Sequence, residues 1–239
     1  MTWVGGVIVT IVAFAAGVSG FGFALFATPL LLLTGFSLPF VVTANLLMGV
    51  ATRVSVAARL RDSINPRRVA LLMAGVVPGL ILGAWLLGSV DSTILKMLAG
   101  AVVIAATSAL AYAEHRPPRA SRPGAPPIAG FLGGVLATTT SLSGVPPALL
   151  LARERLLARN FMADMALYFI LSGAIGLLTL ALTGAFSGEA ARTVLYWLPG
   201  LLLANSIGMT VGLRLPARAF RFTALAVAFV AGVLTIATA

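Results

Sequence analysis

Two interrupted apolar strings hold the residues best able to do chemistry. The first runs Ser19-Gly20-Phe21-Gly22 and continues through Pro29. The second, TTTSLSGVPP at 138–147, packs five hydroxyl residues, a glycine and two prolines into ten positions. Glycine and proline interrupt helices, and a helix that restarts presents unpaired N–H groups and a dipole that attract anions. At the first break Ser19, Gly20, Phe21 and Gly22 would offer backbone donors, with glycine letting a ligand come close. At the second, Thr139, Thr140, Ser141, Ser143 and Gly144 would add hydroxyl donors. Two such ends facing each other would make a small oxyanion site without a fixed charge. For Gly20 and Gly22 alone, simple helix packing is an equal alternative.

Four further side chains join this list. Asn45 sits in the apolar run TANLLMGV, where a polar group is costly and tends to be functional. Asp164 lies five residues past Arg159; it either caps a helix near the cytoplasmic face or serves as a proton-coupling carboxylate. Arg53 either snorkels to the interface, the default, or projects toward an anion. Tyr168, one turn after Asp164, either lines the same cavity or belongs to the core. The remaining acids, Asp62, Asp91, Glu114, Glu154 and Glu189, fall in loops or at segment ends. The chain has no cysteine and one histidine, His115, in a polar linker. That excludes thiolate chemistry and sulfur-ligated metals and removes most histidine catalysis, so no metal and no cofactor are expected.

The elements that must position these groups are membrane helices. Of the 239 residues, 60% are hydrophobic and 9% charged, against about 25% charged in a soluble domain. Lipid is therefore the solvent, and the expected class is an all-α polytopic membrane protein. The net charge of +10 does not signal nucleic acid, because the basic residues sit in short loops without interleaved aromatics. The N-terminal apolar string lacks the positive flank of a signal peptide and reads as part of the fold.

Eight apolar segments are expected, at 3–33, 37–55, 67–88, 92–112, 127–152, 160–183, 191–213 and 217–238. The Pro- and Arg-rich stretch 113–126 separates a first repeat, 1–112, from a second, 127–239. The halves match weakly but in order: GAWLLGSVDSTILK from Gly83 against GMTVGLRLPARAFR from Gly208, Pro78-Gly79 against Pro199-Gly200, and Asn45 against Asp164. Lys and Arg number five in 53–68, three in 113–126, three in 153–159 and three in 214–221, and none in 34–38, 89–91 or 184–190. These counts fit the positive-inside rule only if 3–33 and 127–152 enter the membrane, break and leave on the same face. Each half then has one broken re-entrant segment plus three transmembrane helices. Three crossings invert the second repeat relative to the first, with both termini external.

The residues also resemble a family. SGFGFALFATPLLLL, then LPFVVTANLL, a basic loop, PGLILGAWL and a degenerate repeat of the whole are similar to the TauE/SafE group of sulfite and sulfonate transporters over essentially the full chain. Members look like G-x-G-G before an apolar run ending in proline; this chain reads Gly20-Phe21-Gly22-Phe23, and Ser143-Gly144-Val145-Pro146 in the second half. A hydroxyl residue is usual in the family near Asp164, so the aspartate is a departure too. The resemblance implies export or exchange of a small sulfur anion, such as sulfite, sulfoacetate or a related sulfonate, across the bacterial cytoplasmic membrane. The expected partners are that anion, the bilayer and, as a coupling ion, protons; the oligomeric state stays open, a homodimer included.

Rival readings are a carrier of another small anion such as a carboxylate, a membrane lipid-diphosphate phosphatase, a serine protease of the rhomboid type and a non-transporting anchor. Phosphoryl chemistry would need carboxylates and arginines around the breaks, and a serine nucleophile would need a base. The breaks carry neither.

Overall fold

The computed structural model describes residues 2–19, 22–113, 124–154 and 156–212, with Val233 and Ile236. The expected segment 217–238 therefore lies outside the described residues except at those two positions. Among the described residues the chain is all helical. Segment 3–33 is two helices, α1 (Thr2–Ser19) and α2 (Phe23–Leu33). Then come α3 (Leu38–Arg59), a 3-10 turn at Arg61–Ser63, α4 (Pro66–Ser89) and α5 (Ser92–Ala113). Segment 127–152 is likewise two helices, α6 (Ala125–Thr140) and α7 (Val145–Arg153), followed by α8 (Ala158–Leu182) and α9 (Gly188–Gly212). Four of these, α3, α4, α8 and α9, are long and apolar enough to cross a membrane.

Local sequence explains the starts and stops. Prolines stand in the first turns of α3, α4 and α6, where a missing N–H costs nothing. Pro146 and Pro147 do the same in the first turn of α7. Pro29 behaves otherwise than expected: it lies inside α2 and does not end it. The first interruption falls wholly between Ser19 and Phe23, where Gly22 takes a left-handed conformation at φ 86° that is free of strain only for glycine.

In lipid, helices associate by close packing rather than by hydrophobic force, so small residues set the pairs. α4 lies along α6 and α9 along α1, while α3 and α8 pack together and also touch α9 and α4 respectively. At the α4–α6 contact, Gly75 and Gly79 face the carbonyls of Pro127 and Phe131, and Gly130 and Gly134 face those of Leu72 and Val76. At α1–α9, Gly17 faces the Asn205 carbonyl, and Gly208 and Gly212 face those of Phe14 and Val18. Backbone lies where any side chain would have to go. Gly130→Leu is expected to lower stability by about 3 kcal/mol, whereas Gly88→Leu, where nothing lies within 4 Å, should stay near wild type. Unfolding in mixed detergent–SDS micelles measures the difference.

Candidate functional site

The two breaks meet. Gly22, Phe23, Ala24 and Leu25 from the start of α2 and Ser141 through Val145 from the second break line one cavity of about 40 Å³, room for roughly three waters. Asn45, Leu46, Gly49 and Arg53 of α3 and Phe169 and Gly173 of α8 close its walls. Asn45, Gly49 and Arg53 recur every fourth residue, so one face of α3 supplies all three. Gly173 is glycine because α3 runs close by: a Cβ there would come within 2.6 Å of Val50 Cγ2.

Both restarting helices point their N-termini at this cavity. Gly22 provides no side-chain cap to α2. At the second break α6 ends on Ser141, whose φ of 60° makes it the only non-glycine residue with positive φ among those described. Leu142 N–H closes the helix end by donating to the Leu136 carbonyl at 3.0 Å, so the left-handed stop satisfies one of the last carbonyls of the helix. The N–H groups of Ser143 and Gly144 make no backbone hydrogen bond, leaving them for a ligand.

A hydrogen-bonded knot ties the breaks together. Asn45 Nδ2 donates to Ser141 Oγ at 2.8 Å and to Thr28 Oγ1 at 3.0 Å. The two hydroxyls are 2.9 Å apart, and both reach the Thr140 carbonyl, Ser141 at 2.6 Å and Thr28 at 3.3 Å. Three elements, α2, α3 and the α6–α7 break, are thereby fixed to one another. Tyr168, fully buried in α8, holds the same break from behind: its hydroxyl donates to the Ser143 carbonyl at 3.1 Å. Tyr168→Phe leaves that buried carbonyl unpaired, a loss of about 1–2 kcal/mol. An equal fall in unfolding free energy in mixed detergent–SDS micelles is the expected readout.

Arg53 supplies what the sequence reading withheld from the site, a fixed charge. Its place at the edge of the basic loop predicts a side chain that snorkels to the interface; instead it lies inside α3 with only 2% of its surface exposed. Its guanidinium sits 5.6 Å above the Phe169 ring, a cation–π contact, and its Nη1 has no hydrogen-bond partner. The ion pairs among the described residues are Arg61–Asp62, Arg68–Glu154 and Arg68–Asp164, so none engages Arg53.

Other expected residues are placed elsewhere. Thr139 and Thr140 turn back into α6, their hydroxyls donating to the carbonyls of Val135 at 2.8 Å and Leu136 at 3.1 Å, and neither lines the cavity. Helical threonines commonly satisfy themselves this way. Tyr168 is absent from the lining as well. Asp164 does not cap α8, which starts six residues earlier with Leu157 at its cap position. Its fully buried carboxylate accepts the Asn65 N–H at 2.6 Å and the Arg68 guanidinium, fastening α8 to the start of α4. Gly20 and Phe21 lie outside the described residues, as does the side chain of Ser19, whose backbone closes α1.

Sequence reasoning missed Thr28, Phe169 and Gly173. Thr28 had a usable signal, being the sole hydroxyl within α2. Phe169 and Gly173 carried none beyond their position after Tyr168.

Four apolar helices of bilayer length define a multi-pass membrane protein. The chain matches the sulfite exporter TauE/SafE family over residues 6–235. It belongs to that family of membrane transporters. No curated protein and no solved structure matches the chain.

Proposed function

We propose that the protein is a secondary transporter that exports or exchanges a small sulfur-containing anion, sulfite, sulfoacetate or a related sulfonate, and releases it unchanged. The anion binds between the two breaks, on the N–H groups at the start of α2 and on those of Ser143 and Gly144 just before α7, with Arg53 as its counter-charge. One observation carries this reading: a buried guanidinium with no ion-pair partner among the described residues beside the uncapped start of α2 and the unbonded N–H groups of Ser143 and Gly144. An unpaired buried charge costs several kcal/mol, and an entering anion removes that cost. No carboxylate stands in the cavity wall to repel it.

The carrier works by alternating access in the bacterial cytoplasmic membrane, with residues 1–112 and 127–239 as inverted repeats joined by the linker 113–126. Packing supports this. Exchanging α1 with α6, α3 with α8 and α4 with α9 turns the α4–α6 contact into α9–α1 and the α4–α8 contact into α9–α3, and all four exist. Gly79 packs on Phe131 and Gly200 on Thr10, and Gly79 is separated from Gly200 along the chain just as Thr10 is from Phe131. In this reading the broken pairs α1–α2 and α6–α7 re-enter, and both termini are external. Single cysteines at Ser37 and Ser187 should then label from outside, and one at Ser63 should not; outside labelling at Ser63 would sink the topology.

Counterflow of labelled sulfite in proteoliposomes, competed with sulfoacetate, sulfate, thiosulfate, phosphate and a carboxylate, tests the function. Exchange inhibited by one or two sulfur anions is expected. Folded protein that exchanges none of them would refute the proposal.

A further inference from the structure

We propose that the cavity selects a singly charged anion that also carries an O–H or N–H donor, its charge on Arg53 and the break N–H groups and its donor on Asn45 Oδ1. This rests on the anion site proposed above and specifies its ligand.

The argument starts from the orientation of the Asn45 amide, a residue only 3% exposed. Amide orientation follows from the surrounding hydrogen bonds. The Ser141 hydroxyl sends its proton to the Thr140 carbonyl and the Thr28 hydroxyl has Ser141 Oγ or the same carbonyl for its own, so both receive from Asn45 Nδ2. Oδ1 is left buried at the cavity wall with no donor. Among the described residues, the unpartnered buried atoms also include Arg53 Nη1. Arg53 stands two turns after Asn45 on the same face of α3, and both residues line the cavity. One cationic donor and one neutral acceptor thus belong to the same wall of one small cavity.

A ligand made only of acceptor oxygens would satisfy Arg53 and set a lone pair against Asn45 Oδ1, displacing any water there without replacing its hydrogen bond. A ligand with one acidic oxygen deprotonated and one O–H retained satisfies both. With one positive side chain and no carboxylate in the lining, a monoanion balances the site. For sulfite this is the hydrogensulfite form; among sulfonates it is one with a hydroxyl beside the sulfonate.

Hydroxymethanesulfonate and ethanesulfonate test this directly. They share one charge and nearly one shape, differing by a hydroxyl in place of a methyl. Dissociation constants for the purified wild-type protein, read by isothermal titration, should favour hydroxymethanesulfonate about 10- to 100-fold. In Asn45→Leu the ratio should fall toward one. Equal affinities in the wild type, both lost in Arg53→Leu, would overturn the donor selection and leave the anion site standing. A preference that persists in folded Asn45→Leu would overturn the assignment to Asn45. No binding of either sulfonate or of sulfite would overturn this inference together with the transport reading.

Discussion

Arg53→Leu is expected to weaken anion binding by two to three orders of magnitude and to abolish measurable transport while leaving the protein folded. Hydrogen bonds to a charged group contribute about 1.5–3 kcal/mol, and loss of a desolvated charge partner costs more, about 3–5 kcal/mol. Arg53 engages no ion pair among the described residues, so replacing it strands no carboxylate, and leucine fills much of the space above Phe169. Stability should hold or rise. Arg53→Lys should keep part of the binding, because an ammonium retains the charge but not the planar donor fork. The check is counterflow alongside an unfolding curve. Wild-type exchange by folded Arg53→Leu would show that the guanidinium serves only packing.

Asp164→Ala is expected to destabilise by about 2–4 kcal/mol, because it leaves the Asn65 N–H without its acceptor and takes one of two carboxylates from Arg68. Asp164 is fully buried and holds both the Asn65 N–H and Arg68; Arg68 also reaches Glu154 at 3.6 Å. This cluster joins α4, α8 and the end of α7. The double substitution Asp164→Leu with Arg68→Met removes both members of the inner pair, at the cost of the Arg68–Glu154 contact, and should regain part of the loss; SDS unfolding of both variants measures the recovery. A folded Asp164→Asn that keeps its stability but loses pH-dependent transport would contradict the anchoring role and assign the carboxylate to proton coupling.

The breaks were legible because their composition is extreme: glycine at 20 and 22 and the hydroxyl–glycine–proline string at 138–147 have no place in a continuous span. Gly83 and Gly208 each face the backbone of a neighbouring helix, at Val135 and Phe14, as small residues in close helix contacts do. Asn45 stood out by its apolar neighbours and does join the two breaks. What failed was whatever depends on which way a side chain turns. Arg53 falls near a basic loop in sequence, yet the α3–α8 contact buries it. Thr139 and Thr140 look like donors in a string of letters, but a helical hydroxyl finds its own carbonyl first. Asp164 and Asn45 align between the halves, yet one binds α4 and the other the cavity knot.

The most direct test of the central claim, an anion held between the two breaks, uses selenite as a heavy isostere of sulfite. Anomalous diffraction at the selenium edge from crystals grown with selenite should show one strong peak within hydrogen-bonding reach of the Arg53 guanidinium and the N–H groups of Ser143 and Gly144. Sulfite added in excess should erase it. A peak elsewhere in the membrane region, or none from protein shown to exchange selenite, would place the binding site away from the breaks and contradict the account.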